Sequence, residues 1–183
     1  MNLVYPNIAA ARLLAMLRIA LTGALFAGAY GAIHDQISFA ISSEYFTRMK
    51  FRQFHWADVG LPPRAFASVV GALATWWVGL IAGWVLARIG LDRVAPGSRA
   101  PLQRSAFAII LIFTAITGTL GALIGLAISR GELSGWAPYR DAYALHDLPG
   151  FVIVAWLHGS GYFGAALGLL VAALKVRRAA ATY

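Results

Sequence analysis

Apolar residues gather along the chain into four runs with almost no charge inside them, Leu13 to Ile33, Ala65 to Ala87, Ala106 to Ser129 and Phe151 to Leu174. Each is long enough to cross about 30 Å of hydrocarbon, which takes roughly 20 residues of helix. None alternates with the period of two expected of a barrel strand, and all are too rich in Ala, Gly and Leu for one. The pattern predicts an all-α integral membrane protein, a four-helix bundle forming one transmembrane domain over residues 1–183. Arg18 interrupts the first run about a turn from its end, where a long cationic side chain can snorkel to the headgroups. Ala27-Gly28-Ala29 has the form of a signal-cleavage site. The apolar run around it is about as long as a full span, so it is read as a retained helix.

Small residues recur at helical spacing in every run: Ala24 and Gly28, Gly79 and Gly83, Gly121 and Gly125, Gly164 and Gly168. Such pairs let two backbones approach closely, which favours a compact bundle over helices separated by lipid. Trp76 and Trp77 fall mid-span, away from the interfacial belt, and read as packing or oligomer contacts. Lys and Arg flank the runs unevenly. With the N-terminus inside, nine lie on the cytoplasmic side and six on the outer side, which favours N-in, C-in. Six of the seven acidic residues, all but Asp92, then fall outside.

Composition agrees with the pattern. Apolar residues make up 60% of the chain and charged residues 12%, against about 25% charged in ordinary soluble domains. There is no Cys, so disulfides, thiolate metal sites and a cysteine nucleophile are excluded. The formal charge of +8 is scattered among the apolar runs. It suits anionic lipid headgroups better than nucleic acid.

The connections differ in character. Arg88 to Arg104, with Pro96-Gly97-Ser98, reads as a plain basic loop. His34 to Leu61 is long and carries Phe39, Tyr45, Phe46, Phe51, Phe54 and Trp56. It is expected to be an aromatic-rich outer loop or interfacial helix, lying in the headgroup region or folding back over the bundle mouth. Ser43-Glu44 followed by Arg48 and Lys50 suits a short helix with its dipole complemented. The alternation from Arg48 to Phe54 would also suit an extended strand, and the helix is favoured.

All four histidines, His34, His55, His146 and His158, fall in the outer half under this threading. Ionisable groups inside a membrane are costly and mark functional candidates unless paired. The candidate site is therefore His34, Asp35, Glu44, His146, Asp147 and His158, converging at the outer ends of the spans. Imidazole with carboxylate is the ligand set of zinc or non-haem iron. Two facing histidines could instead hold a haem iron. No pair has the close helical spacing of H-E-x-x-H or E-x-x-H, so this reading rests on position. Plain structural roles compete with it. Asp147 before Pro149 suits the N-cap of the fourth helix. Glu44 suits a helix start, His34 and Asp35 the water boundary, and His158 a packing histidine bonded to a carbonyl or a neighbouring Ser or Thr.

The segments Ala29-Tyr30-Gly31-Ala32-Ile33-His34-Asp35 and Ala142-Tyr143-Ala144-Leu145-His146-Asp147 share a context that hints at a duplicated two-helix unit. No P-loop, dinucleotide fingerprint or nucleophile elbow is present. The alternative to a metal or redox site is a non-enzymatic accessory or scaffold subunit, as a homo-oligomer or within a larger membrane complex. A third reading, a small channel or transporter, would draw on Thr114, Thr117 and Thr119.

The blocks His34-Asp35-Gln36-Ile37-Ser38, Glu44-Tyr45-Phe46-Thr47 and Phe51-x-Gln53-Phe54 resemble a family of small bacterial inner-membrane proteins. Ala74-Thr75-Trp76-Trp77-Val78-Gly79 and Leu157-His158-x-x-x-Tyr162 fit the same resemblance. It implies four spans in a bacterial inner membrane and no particular activity.

Overall fold

The computed structural model describes residues 8–181. Four long helices make up most of it: α1 (Ala10–Ile41), α2 (Pro63–Ile89), α3 (Pro96–Ser129) and α4 (Leu148–Ala180). There is no strand among the described residues. All four helices are long and apolar enough to cross a membrane, as the hydrophobic pattern predicts. At 1.5 Å per residue they measure roughly 40–50 Å, more than the hydrocarbon thickness, so their ends reach past it. They therefore outrun the apolar runs. Most consequentially, α1 continues two turns beyond Ile33, so His34, Asp35 and Ser38 sit within a helix rather than at its end.

Backbone chemistry explains the helix limits. Prolines occupy the first turns of α2, α3 and α4, where a missing N–H costs nothing. Asp147 caps α4, its carboxylate accepting from the Gly150 N–H at 2.9 Å. Gly90, at φ 147°, closes α2 in a conformation that L residues rarely adopt. The basic connection after α2 is anchored as well: Arg12 of α1 pairs with the buried Asp92, and Arg99 donates to the Asp92 and Val94 carbonyls.

α1 lies antiparallel along α2, and α3 along α4, whereas the two pairs meet each other more sparingly. Small residues set this closeness. A Cβ added at Gly23 or Gly31 would overlap the carbonyl of Gly79 or Gly71 across the pair. In the other pair, a Cβ at Gly121 would meet Ser160 and Trp156, and one at Gly164 would meet Thr117. Glycine at these contacts brings backbones together where any side chain would hold them apart. The pairs on α2, α3 and α4 lie at these contacts as expected. On α1 the register differs: the packed stripe is Gly23, Ala27 and Gly31, while Gly28 meets nothing closer than 3.8 Å. One residue of shift turns a helix by about 100°, enough to exchange one face for another.

Two buried clusters fill the bundle. One, at the end where α1 begins and α4 finishes, includes Met16, Leu86, Leu91, Phe107 and Val176. The other lies under the connection after α1 and joins Tyr45, Phe46, Met49, Phe151 and Val152. That connection is helical, as favoured, and not a strand. A π-helix, Tyr45–Lys50, runs into an α-helical turn, Phe51–Gln53, and a 3-10 turn, His55–Ala57. The segment after α3 forms a short helix, Ala137–Tyr143, ended by Ala144 in the left-handed region at φ 50°. The sequence likeness between the Tyr30 and Tyr143 segments therefore has no local counterpart. One is mid-helix and the other turns at a helix end. Trp76 and Trp77 remain 45% and 46% exposed on the lateral surface.

Candidate functional site

α1 and α4 together bury a small polar cluster. Tyr30, His34 and Ser38 recur every four residues along one side of α1, with Asp35 beside them. Asp35 is 4% exposed and Ser38 fully buried. Room for the Asp35 carboxyl comes from α2, because a Cβ at Gly71 would stand 2.9 Å from Asp35 Cγ. Opposite, α4 presents His158. The close α1–α2 contact thus shapes the chemistry as well as the packing.

Within the cluster, His34 Nδ1 lies 3.3 Å from Asp35 Oδ1, and His158 Nε2 lies 3.7 Å from the same oxygen. The Ser38 hydroxyl donates to the His34 carbonyl at 3.0 Å. Its oxygen is therefore left to accept from His158 Nε2 at 3.2 Å. One ligand atom from each of His34, Asp35 and His158 falls within 4.8 Å of the others. Aromatic rings wall the cluster in. The two imidazoles meet edge to face with centroids 5.0 Å apart, Tyr45 lies 5.0 Å from His158, and Tyr30 lies 5.3 Å from His34. Such walls exclude water and strengthen every polar interaction inside them.

The π-helix supplies the remaining charge. Its i to i+5 bonding, seen in the Phe51 N–H donating to the Phe46 carbonyl, sets Lys50 over Tyr45, with Nζ 5.8 Å from the ring centre. π-helical turns are rare and concentrate at functional sites. Burial pushes the Lys50 ammonium below its usual range, and the nearby Asp35 carboxylate opposes that shift.

A cleft between the two helix pairs leads away from the cluster. Its enclosed room is about 90 Å³, and the space rises to about 860 Å³ only when the part open to the outside is counted. Tyr30, His34, Asp35, Lys50, His158 and Tyr162 line one end. The remainder is walled mainly by apolar side chains, among them Phe26, Val78, Phe107 and Leu111. Along α1 the lining runs from Asp35 to Gly23, a rise of about 18 Å.

No protein-family model, curated protein or solved structure matches the chain.

Of the six residues expected at the site, the structure brings His34, Asp35 and His158 together. Glu44, His146 and Asp147 meet elsewhere. The Glu44 carboxylate accepts from the backbone N–H groups of both His146 and Asp147, each at 2.8 Å. Asp147 in turn caps α4. These three form a clasp between the connection after α1 and the start of α4. Partial burial works against ionisation of Glu44, but the two N–H donors, with His146 and Arg48 adding to them, hold its carboxyl below the usual range. Ser38, Tyr30, Tyr45, Lys50 and Tyr162 are members of the site that the sequence reading passes over. The four-residue spacing of Tyr30, His34 and Ser38, and of His158 and Tyr162, was the signal that could have found three of them; Tyr45 and Lys50 are brought in by the π-helix. That spacing becomes legible only once α1 is known to continue past Ile33.

Proposed function

We propose that this chain is a multi-pass inner-membrane metalloprotein in which His34, Asp35 and His158 hold a single non-haem metal ion, iron or zinc, at the head of the cleft. With the N- and C-termini inside, the centre lies toward the outer side of the membrane. The observation that carries the reading is the convergence of two imidazoles and one carboxylate from α1 and α4 within 4.8 Å. Ligand bonds of about 2.0–2.1 Å in a tetrahedral arrangement put neighbouring ligand atoms roughly 3.3 Å apart. The separations of 3.3 Å and 3.7 Å at Asp35 Oδ1 suit such a set, and the two imidazoles, whose ligand atoms lie within 4.8 Å, would close on the ion as it binds. Two histidines and one carboxylate leave coordination positions free, the arrangement used by oxygen-activating and hydrolytic metal sites. Haem is disfavoured, since imidazoles in edge-to-face contact at 5.0 Å leave no space for a porphyrin between them.

In this reading Ser38 and Asp35 also serve the unloaded state. They give His158 polar partners in a place where an unpaired imidazole would be expensive. Holding a metal through Nε2 would require the His158 proton to sit on Nδ1, which frees the Nε2 lone pair. Elemental analysis of the purified full-length protein tests the assignment. About one equivalent of iron or zinc is expected, falling well below half in His158→Ala and unchanged in His146→Ala. Metal at background in the parent, or equal content in parent and His158→Ala, would overturn it.

A further inference from the structure

The cleft below the cluster has two chemically distinct parts, and its polar end is not self-satisfied. Among the described residues, neither the Tyr30 hydroxyl nor the Lys50 ammonium makes a hydrogen bond, although both line the cleft; Lys50 has only the Tyr45 ring beneath it and the Asp35 charge nearby. Tyr162, by contrast, already donates to the Ala74 carbonyl at 3.2 Å, and Thr75 to the Ala27 carbonyl at 2.7 Å. Of these two groups the ammonium can only donate, and the phenol can donate as well as accept. A partner that serves both must offer acceptor oxygens.

The remaining length has the opposite character. Phe26 and Phe107, with ring centres 5.8 Å apart, and Val78 and Leu111 offer a molecule nothing but apolar surface. The lining covers about 18 Å of α1, more than half of the hydrocarbon thickness. Water gains nothing there, so the occupant of the long part must itself be apolar. The helix pairs that form the two walls are each locked by glycine contacts but touch one another sparingly. Entry between them from the lipid therefore leaves the tight α1–α2 and α3–α4 contacts intact.

We propose that the cleft binds a lipid-borne amphiphile with a long apolar chain and an oxygen-acceptor head. The head lies against Tyr30, His34 and Lys50, and the chain packs along Val78 and Leu111 and against the Phe26–Phe107 pair. The inference rests on reading the cluster as a metal centre, which the head would face as substrate. A quinone carbonyl and a fatty carboxylate share this head chemistry. The donors recognise either, and the free coordination positions would lie within reach of either head.

Native mass spectrometry of the full-length protein in detergent, titrated separately with decylubiquinone and with oleate, tests the proposal. A saturable one-to-one complex is expected with at least one probe, and the probe that binds identifies the head as carbonyl or carboxylate. Lys50→Gln and Tyr30→Phe each remove a donor, and Leu111→Trp fills the chain-binding part. Each should weaken binding by about tenfold or more, the usual scale for losing a charge-assisted hydrogen bond or a filled pocket. Should Leu111→Trp fail to fold, Tyr30→Phe, which keeps the ring, still decides. No saturable complex with either probe, or unchanged affinity in Lys50→Gln and Tyr30→Phe, would overturn the lipid assignment. Metal content measured on the same samples separates the two readings: full metal without lipid binding removes only the amphiphile, and lipid binding without metal removes the metal centre and with it the head's role as substrate, leaving the binding itself.

Discussion

Single side chains in this protein divide between those that tie segments together and those that converge on the cleft. Glu44 belongs to the first kind. Its carboxylate is the acceptor for two successive backbone N–H groups at the start of α4, a role that asks for the ionised form. Its folded pKa lies below the ordinary carboxylate value. Its contribution is therefore fully present above the unfolded value, near 4.5, and is lost as pH falls through the lower folded value. Thermal unfolding in detergent between pH 7 and pH 3 should show a destabilisation on acidification that is smaller in Glu44→Gln; equal acid sensitivity in both proteins would deny Glu44 that part. At this scale the sequence was partly legible. Asp147 before a proline announces a cap, and a histidine within an apolar run announces a polar partner, which proves to be Ser38 with Asp35. That Glu44 would meet residues about a hundred positions away was not legible, because only the folded connection brings them together.

Helices meet here through glycine, so the α1–α2 register can be tested by adding single methyl groups. A Cβ at Gly79 would overlap the Gly23 carbonyl and stand 2.6 Å from the Ala27 Cβ. Neither neighbour can swing away, since one is backbone and the other is a short side chain in the packed stripe. Gly79→Ala should destabilise by about 1–3 kcal/mol, the range for overpacking a close contact. Gly28→Ala, whose nearest neighbour is at 3.8 Å, should be tolerated. Thermal stability measured side by side decides, and equal effects at the two positions would put the α1 stripe in the wrong register. Four spans with small residues at four-residue spacing were readable from the sequence. The face of α1 that packs was not, because Gly23, Ala24, Ala27, Gly28 and Gly31 offer two competing stripes. Which one is used depends on the complementary surface of α2.

For the molecule as a whole, the antiparallel order of the helices puts the connections after α1 and α3 at one end and the connection after α2 at the other. The absence of cysteine makes single-cysteine labelling clean. Val59→Cys and Gly135→Cys should react with an impermeant maleimide from the same side of intact cells. Gly97→Cys should react only after permeabilisation if the termini are inside. Labelling of residues 59 and 135 from opposite sides would break the bundle order and, with it, the shared cluster.

Hydrophobic run length alone settled that the chain is helical and has four segments able to span a bilayer, because in hydrocarbon each backbone donor and acceptor must be satisfied within its own helix. It also placed polar residues at one end of those segments, since few tolerable positions exist for them elsewhere. Tertiary structure decided which of them meet. The apolar pattern ends at Ile33 but the helix does not, as backbone hydrogen bonding continues through polar residues wherever neighbouring elements cover them. The two further turns of α1, the π-helix folded across them and Gly71 of α2, which admits Asp35, draw His34, Asp35 and His158 into one pocket. The same arrangement leaves Glu44, His146 and Asp147 to fasten its rim. Contacts between residues more than a hundred positions apart follow from packing geometry, and no local pattern encodes them.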